Sequence, residues 1–217
     1  MILSILIPSI PSRAKLLDNL VDDLIAQQKR LANDHPMIAR VCVITDESKS
    51  FLDGGLSIGE KRNALIEKSQ SDYVCFLDDD ESIAPNYVES LVRLCLQDAD
   101  VVTFRAMTKL KDFWGLVDMR LAYKVNDQMT PEYTVRRPPW HICPVKSKYA
   151  KLYKFEDKNN AEDFEWMEKV LRHCTTEAHT DKILFVYNHG DHSEADKIPL
   201  PGIEFIKPVG LSFPPLP

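Results

Sequence analysis

Four consecutive acids, Asp78-Asp79-Asp80-Glu81, follow directly on the apolar run Tyr73-Val74-Cys75-Phe76-Leu77. Carboxylates this close repel one another unless positive charge sits among them, and the economical source is a hard divalent cation, Mg²⁺ or Mn²⁺, held by oxygen ligands. The apolar run has the aromatic and β-branched residues of a buried strand. A strand ending in a carboxylate cluster places those acids at the carboxyl edge of an open α/β sheet, where ligands bind. A solvated acidic loop is the plain alternative.

Three further clusters fall on the same rim. Pro8, Ser9 and Arg13 offer a rigid turn, a hydroxyl and a cation after the first apolar run. Gly59-Glu60-Lys61-Arg62-Asn63 opens a helix and offers free backbone N–H groups, the positive end of a helix dipole and two cations, a combination that suits a phosphate. Asp46, a lone carboxylate at a strand end, can accept hydrogen bonds from a base or a sugar. Taken singly, these are an exposed first helical turn and an ordinary turn residue; together they describe a pocket for a metal-chelated diphosphate.

The elements that must position them can be read from periodicity. Residues 2–7 form a strand stopped by two prolines, and a helix runs from Ser12 with Leu16, Leu17, Leu20, Val21 and Leu24 on one face. Residues 40–45 form a second strand. Ser57 and Glu60 form a capping box for a helix from Gly59 to about Ser69. The strand 73–77 follows, then a helix with Pro85 in its first turn, then a fourth strand over 100–105. This alternation predicts an α/β fold with a mostly parallel doubly wound sheet and helices on both faces. Beyond residue 106 the alternation fails, and 106–140 reads as irregular or antiparallel structure over the sheet edge. A short helix is expected over 146–152, a better one over 161–173 and a late strand over 183–187. Residues 199–217 carry six prolines and should run extended over the surface.

Composition narrows the class. The 217 residues suit one domain, and 33 acids against 27 bases give a net charge of −6, so nothing suggests wholesale attraction to nucleic acid or anionic lipid, although a local basic patch is still allowed. Five cysteines, at 42, 75, 95, 143 and 174, are scattered and never form a Cys-x-x-Cys pair, which argues for a reducing compartment and against a zinc knuckle. The apolar start, residues 1–7, is too short for a signal peptide or a membrane span, and a soluble cytoplasmic protein is expected.

Ile5-Leu6-Ile7-Pro8-Ser9 with Arg13, then Gly59-x-Lys61-Arg62-Asn63, then Phe76-Leu77-Asp78-Asp79-Asp80, resembles the family-2-like nucleotide-sugar glycosyltransferases of the GT-A fold. The resemblance is strongest over residues 1–105. It implies a nucleotide-sugar-binding half at 1–105, an acceptor-binding and catalytic half of the same domain at 106–198, and the proline-rich tail at 199–217. It also implies a nucleoside-diphosphate-sugar donor, UDP-sugar favoured, with Mn²⁺ or Mg²⁺ on Asp80 and Asp78 near the ribose. Pro8, Ser9, Arg13, Asp46, Lys61, Arg62 and Asp79 complete the implied nucleotide site, Arg62 standing near the diphosphate or bracing the acidic loop.

Asn160-Ala161-Glu162-Asp163-Phe164 resembles the Glu-Asp element whose Asp is the base in inverting members, with Ala161 in place of the usual glycine. Asp163 is then the base and Glu162 the neighbour that orients it. A paired acid in a helix's first turn is also favourable through the dipole alone. His189 and His192 are both candidates for a late metal ligand. Trp140 and His141 lie where the family lines the sugar and acceptor region, Trp140 as a stacking surface and His141 as a hydroxyl partner. The acceptor is expected to be a saccharide or a hydroxymethylated DNA base of the phage-modification type. For the latter, Lys109, Lys111, Arg120, Lys124, Arg136, Arg137, Lys146, Lys148, Lys151 and Lys154 would form a phosphate-tracking face. The competing readings are a nucleotidyltransferase and a non-catalytic nucleotide- or calcium-binding module; the latter requires Glu162-Asp163 to lie far from Asp80.

Overall fold

A computed structural model of the chain describes residues 1–34, 39–110, 113–124 and 135–189. The first half alternates as periodicity predicts: β1 (Ile2–Pro8), α1 (Ala14–Asp34), β2 (Arg40–Asp46), α2 (Ile58–Lys68) and β3 (Tyr73–Phe76). The first strand is stopped by a short 3-10 turn at Pro11–Arg13, which feeds α1. β1 pairs in parallel with β2 on one side and with β3 on the other. The chain therefore steps outward from β1 to β2, then back across β1 to β3. With right-handed crossovers, that reversal puts α1 and α2 on opposite faces and makes the gap between the carboxyl ends of β1 and β3 a topological switch point. The residues at those two ends are Ser9 and Arg13 on one side and Asp78–Asp80 on the other.

The rest of the sheet comprises β4 (Ser82–Ile83), β5 (Val101–Leu110), β6 (Phe113–Met119), β7 (Val135–Arg137), β8 (Val145–Lys146) and β9 (Glu177–His189). The order is β2-β1-β3-β8-β5-β6-β7, with β9 pairing β5 and β4. The expected fourth strand, read as 100–105, is β5 and runs on to Leu110. It does not touch β3, because two-residue β8 lies antiparallel between them, Val145 facing both Val74 and Val101. β1, β2, β3, β5 and β9 still share one direction, which makes the sheet mostly parallel. β6 returns antiparallel to β5, and β7 pairs in parallel with β6, so part of 106–140 is regular sheet.

The helices α3 (Tyr87–Cys95), α4 (Ser147–Ala150) and α5 (Glu162–Leu171) complete the layers, α1 packing on α3 and α2 on α5. α3 begins after Pro85, with Asn86 at the cap; the Pro85 carbonyl accepts from Arg30 instead of lying in the first turn. The helix expected over 146–152 is reduced to α4 because Val145 and Lys146 are taken into the sheet. The strand expected over 183–187 begins earlier, at Glu177, its polar first half covered by pairing with β5. Leu3, Ile5, Phe76, Val101 and Phe104 are fully buried at the centre of one core. Among the described residues no helix is long and apolar enough to cross a membrane. The proline-rich segment 199–217 and His192 lie outside the described residues, as does the side chain of His189 at the end of β9.

Candidate active site

The loops leaving β1 and β3 meet at the switch point. The Ser9 hydroxyl donates to Asp79 Oδ2 at 2.5 Å, and Arg13 Nη1 lies 2.8 Å from Asp79 and 3.0 Å from Asp80. Asp78 turns the other way, toward Arg62 Nη2 at 3.1 Å. The repulsion that pointed to a divalent ion is thus answered within the chain by Arg13 and Arg62, one on each side of the acidic run. Burial would raise the Asp78 carboxyl, but Arg62, with His141, holds it down at about 2.

Arg62 is the hub of the site. It is 4% exposed, its Nε stands 3.6 Å from Glu162, and its guanidinium packs over the rings of Phe76 and Phe155, 5.3 and 5.7 Å from their centroids. Of the two roles expected for it, bracing the acidic loop is the one these contacts describe. Asn63, the next residue, grips the backbone of Phe155 in both directions, donating to its carbonyl and accepting from its N–H. α2 is in this way joined to the segment that leads into α5.

The start of α2 differs from expectation. The capping box forms, Glu60 N–H donating to Ser57 Oγ and Ser57 N–H to Glu60. Ile58 N–H, however, donates to Asn159 Oδ1 and Gly59 N–H to the Lys158 carbonyl, so the amides that seemed free for a phosphate hold residues 158–159 instead. Gly59 is required by that contact: a Cβ there would stand 1.9 Å from the Glu156 carbonyl oxygen. Lys61, 2% exposed, is likewise no free cation, because its ammonium donates to the carbonyls of Ser9 and Ser48 and ties the β1 loop to the β2 loop. Asp46 accepts from the Ser48 N–H and hydroxyl, which keep its carboxyl below its ordinary range against the effect of burial, and it does not line the cleft.

Glu162 and Asp163 begin α5 and face the same cleft. Ala161, just before them, has φ of 58°, the left-handed conformation that glycine adopts at little cost. Asp163 Oδ2 accepts from Trp140 Nε1–H at 2.8 Å and stands 2.8 Å from His141 Nδ1. The imidazole approach is oblique, so this is an ion-pair contact rather than an aligned hydrogen bond. Burial alone would raise the Asp163 carboxyl; His141, Arg62 and Trp140 together hold it far below the usual carboxylate range. Glu162 is raised by burial, Arg62 only partly compensating. Trp140 is therefore used by its N–H, and Arg137 lies 4.0 Å from its ring centroid, which covers a face expected to stack on a sugar.

These residues enclose a cleft of about 990 Å³ lined by Pro8, Ser9, Arg13, Asp78, Asp79 and Asp80 together with Trp140, His141, Glu162 and Asp163. The distance required by a non-catalytic acidic loop is absent: the Glu-Asp pair and Asp80 share one cavity. Phe51 and Leu52, 59% and 72% exposed on the loop after β2, also line it and were not foreseen. Two exposed apolar residues beside Gly54-Gly55 were the available signal. Among the described residues no group of three His, Cys, Asp or Glu side chains is placed to hold a metal. Of the proposed phosphate-tracking face, Arg120 pairs with Asp181, Lys146 with Asp98, Lys154 with Glu67 and Lys151 with the Ser69 carbonyl, while Lys111 and the side chain of Lys109 lie outside the described residues.

A cleft at the switch point of an α/β sheet, with arginines facing carboxylates and a second acidic pair across it, lies where open α/β folds bind their ligands. The model of glycosyl transferase family 2 matches residues 4–159, and the chain belongs to that family. A putative glycosyltransferase of Bacillus subtilis (strain 168), EpsH, is 28% identical over 76 residues, which is 35% of this chain and 22% of that protein. The fold is that of S. aureus TarS 1–349, solved in complex with UDP-GlcNAc, with a TM-score of 0.62 at 13% identity over 92% of this chain and 62% of that one. The UDP complex of the same protein gives 0.58 at 13% identity, over 87% of this chain and 60% of that one. The chain thus spans under two thirds of each of these relatives.

Proposed function

We propose that the chain is a glycosyltransferase that moves a sugar from a nucleoside diphosphate, UDP favoured, to an acceptor hydroxyl with inversion. The observation that carries this is the single cleft joining the β1 and β3 loops to Glu162-Asp163. The UDP-GlcNAc and UDP complexes of TarS support UDP as the carrier. In the reaction the acceptor oxygen forms a bond to the anomeric carbon as the bond from that carbon to the diphosphate oxygen breaks, its electron pair leaving with the nucleoside diphosphate. The acceptor proton passes to Asp163. A carboxylate of low basicity suffices because the acceptor oxygen becomes strongly acidic only once its new bond is largely made.

Asp80 is the residue proposed to hold Mg²⁺ or Mn²⁺. A single hard carboxylate beside the diphosphate fits these ions, which take one or two protein carboxylates and complete their shell with phosphate and water oxygens. When bound, the ion would neutralise charge on the leaving diphosphate. Arg13 supplies a second positive charge there, and Ser9 holds Asp79 in place. A saccharide acceptor is favoured over DNA, since Arg120, Lys146, Lys151 and Lys154, four of the cations that would track phosphates, are already paired with acids or a carbonyl. Replacement of Asp163 by Asn should lower transfer by roughly 10²–10⁴-fold while leaving UDP affinity within about twofold. Transfer at the wild-type rate would rule out Asp163 as the base.

A further inference from the structure

His141 lies 4% exposed in the loop between β7 and β8, and its carbonyl accepts from Phe76 N–H at 3.0 Å, which fixes its backbone to β3. Its ring is walled by Trp140 and Phe76, with centroids 5.4 and 6.4 Å away. From that position Nδ1 reaches Asp163 Oδ2 at 2.8 Å, and Nε2 faces Asp78 Oδ2 at 3.8 Å. Neither nitrogen makes an aligned hydrogen bond, which is unusual for a histidine kept only for packing. The ring lines the cleft between these two carboxylates.

We propose that His141 is a positioning residue that spans the donor-side carboxylate Asp78 and the base Asp163, holding Asp163 by Oδ2 so that Oδ1 meets the acceptor hydroxyl. The inference rests on the transfer reading above and assigns His141 a role inside it. Trp140 Nε1–H engages the same Oδ2, and among the described residues Oδ1 has no hydrogen-bond partner. Arg62 makes the parallel tie, from Asp78 to Glu162. The β3 end and the start of α5 are therefore joined twice, by a guanidinium and by an imidazole. A shift in either carboxylate is transmitted to the other. The charged groups facing the ring are Asp78 after β3, Arg62 of α2, and Glu162 and Asp163 of α5.

Two conservative variants separate the halves of this bridge. An asparagine amide nitrogen falls near the site of Nδ1, and a glutamine amide nitrogen near that of Nε2. His141→Asn should keep kcat within about threefold, whereas His141→Gln should lose roughly 10–100-fold in kcat with the donor KM nearly unchanged, as expected of a misplaced reacting group. Equal losses in both variants, or a change confined to KM, would overturn the proposal. A second measurement needs no turnover. Thermal midpoints of His141→Gln, Asp163→Asn and the double variant should be non-additive, the double falling no further than the worse single. Additive shifts would show that the two side chains do not hold one another. Wild-type enzyme that transfers from no UDP-sugar would count against the transfer reading itself, and the stability cycle would still decide the positioning claim.

Discussion

Arg62→Met removes a buried cation that faces two carboxylates. Asp78, brought from an ordinary 3.8 to about 2, owes its environment ~2.4 kcal/mol at ~1.36 kcal/mol per pH unit. Its side chain is 31% exposed, so solvent screening trims the figure to roughly 1.5 kcal/mol. Glu162, 4% exposed, loses its counter-charge and adds about 2 kcal/mol. The methionine repacks against Phe76 and Phe155 and returns less than about 1 kcal/mol. The expected loss at pH 7 is therefore about 3 kcal/mol, read by urea unfolding with the buried Trp166 as the fluorescence reporter. The sign with pH follows from both acids. Asp78 lies below its unfolded value, so its contribution is complete above pH ~4 and disappears as pH falls through about 2. Glu162 is raised, so its ionisation opposes folding above its ordinary 4.5 and its protonation relieves that strain. At pH 3 the Glu162 contribution is gone and about half of the Asp78 contribution remains, so the deficit should shrink to under about 1 kcal/mol. A deficit under ~1 kcal/mol at pH 7, or one that does not change with pH, would refute the assignment of Arg62 as the hub.

Two further changes test how the site is supported. Ala161→Gly should stabilise the fold by about 0.5–1 kcal/mol, because relief of the left-handed strain exceeds the added freedom of the unfolded chain; a lower urea midpoint would contradict the strain argument. Gly59→Ala should cost about 2 kcal/mol or more and weaken donor binding, since its Cβ collides with the Glu156 carbonyl and parts α2 from residues 158–159; unchanged stability would deny that contact.

The parts legible in the sequence were those fixed by local patterns. The Ser57–Glu60 capping box, the helical spacing of Leu17, Leu20 and Leu24, and the strand running into Asp78 are each set by residues close in sequence. The crossing of β8 between β3 and β5 was not legible, because Val145 and Lys146 are too short a segment to carry a period. The roles of Lys61 and Arg62 were open for a different reason. A cation beside a helix start reads as phosphate-binding until its long-range partners, the carbonyls of Ser9 and Ser48 for one and Asp78 and Glu162 for the other, are known. Trp140 likewise presented a flat face and a donor, and sequence gives no means of knowing that Asp163 takes the donor and Arg137 the face.

The most direct test of the central claim is calorimetric titration of UDP into the wild-type protein and Asp80→Ala, each with and without Mn²⁺. Saturable binding that tightens with Mn²⁺ in the wild type and loses that dependence in Asp80→Ala is predicted. No binding of UDP in either condition would contradict the donor site, and binding with the same Mn²⁺ dependence in Asp80→Ala would contradict the metal assignment.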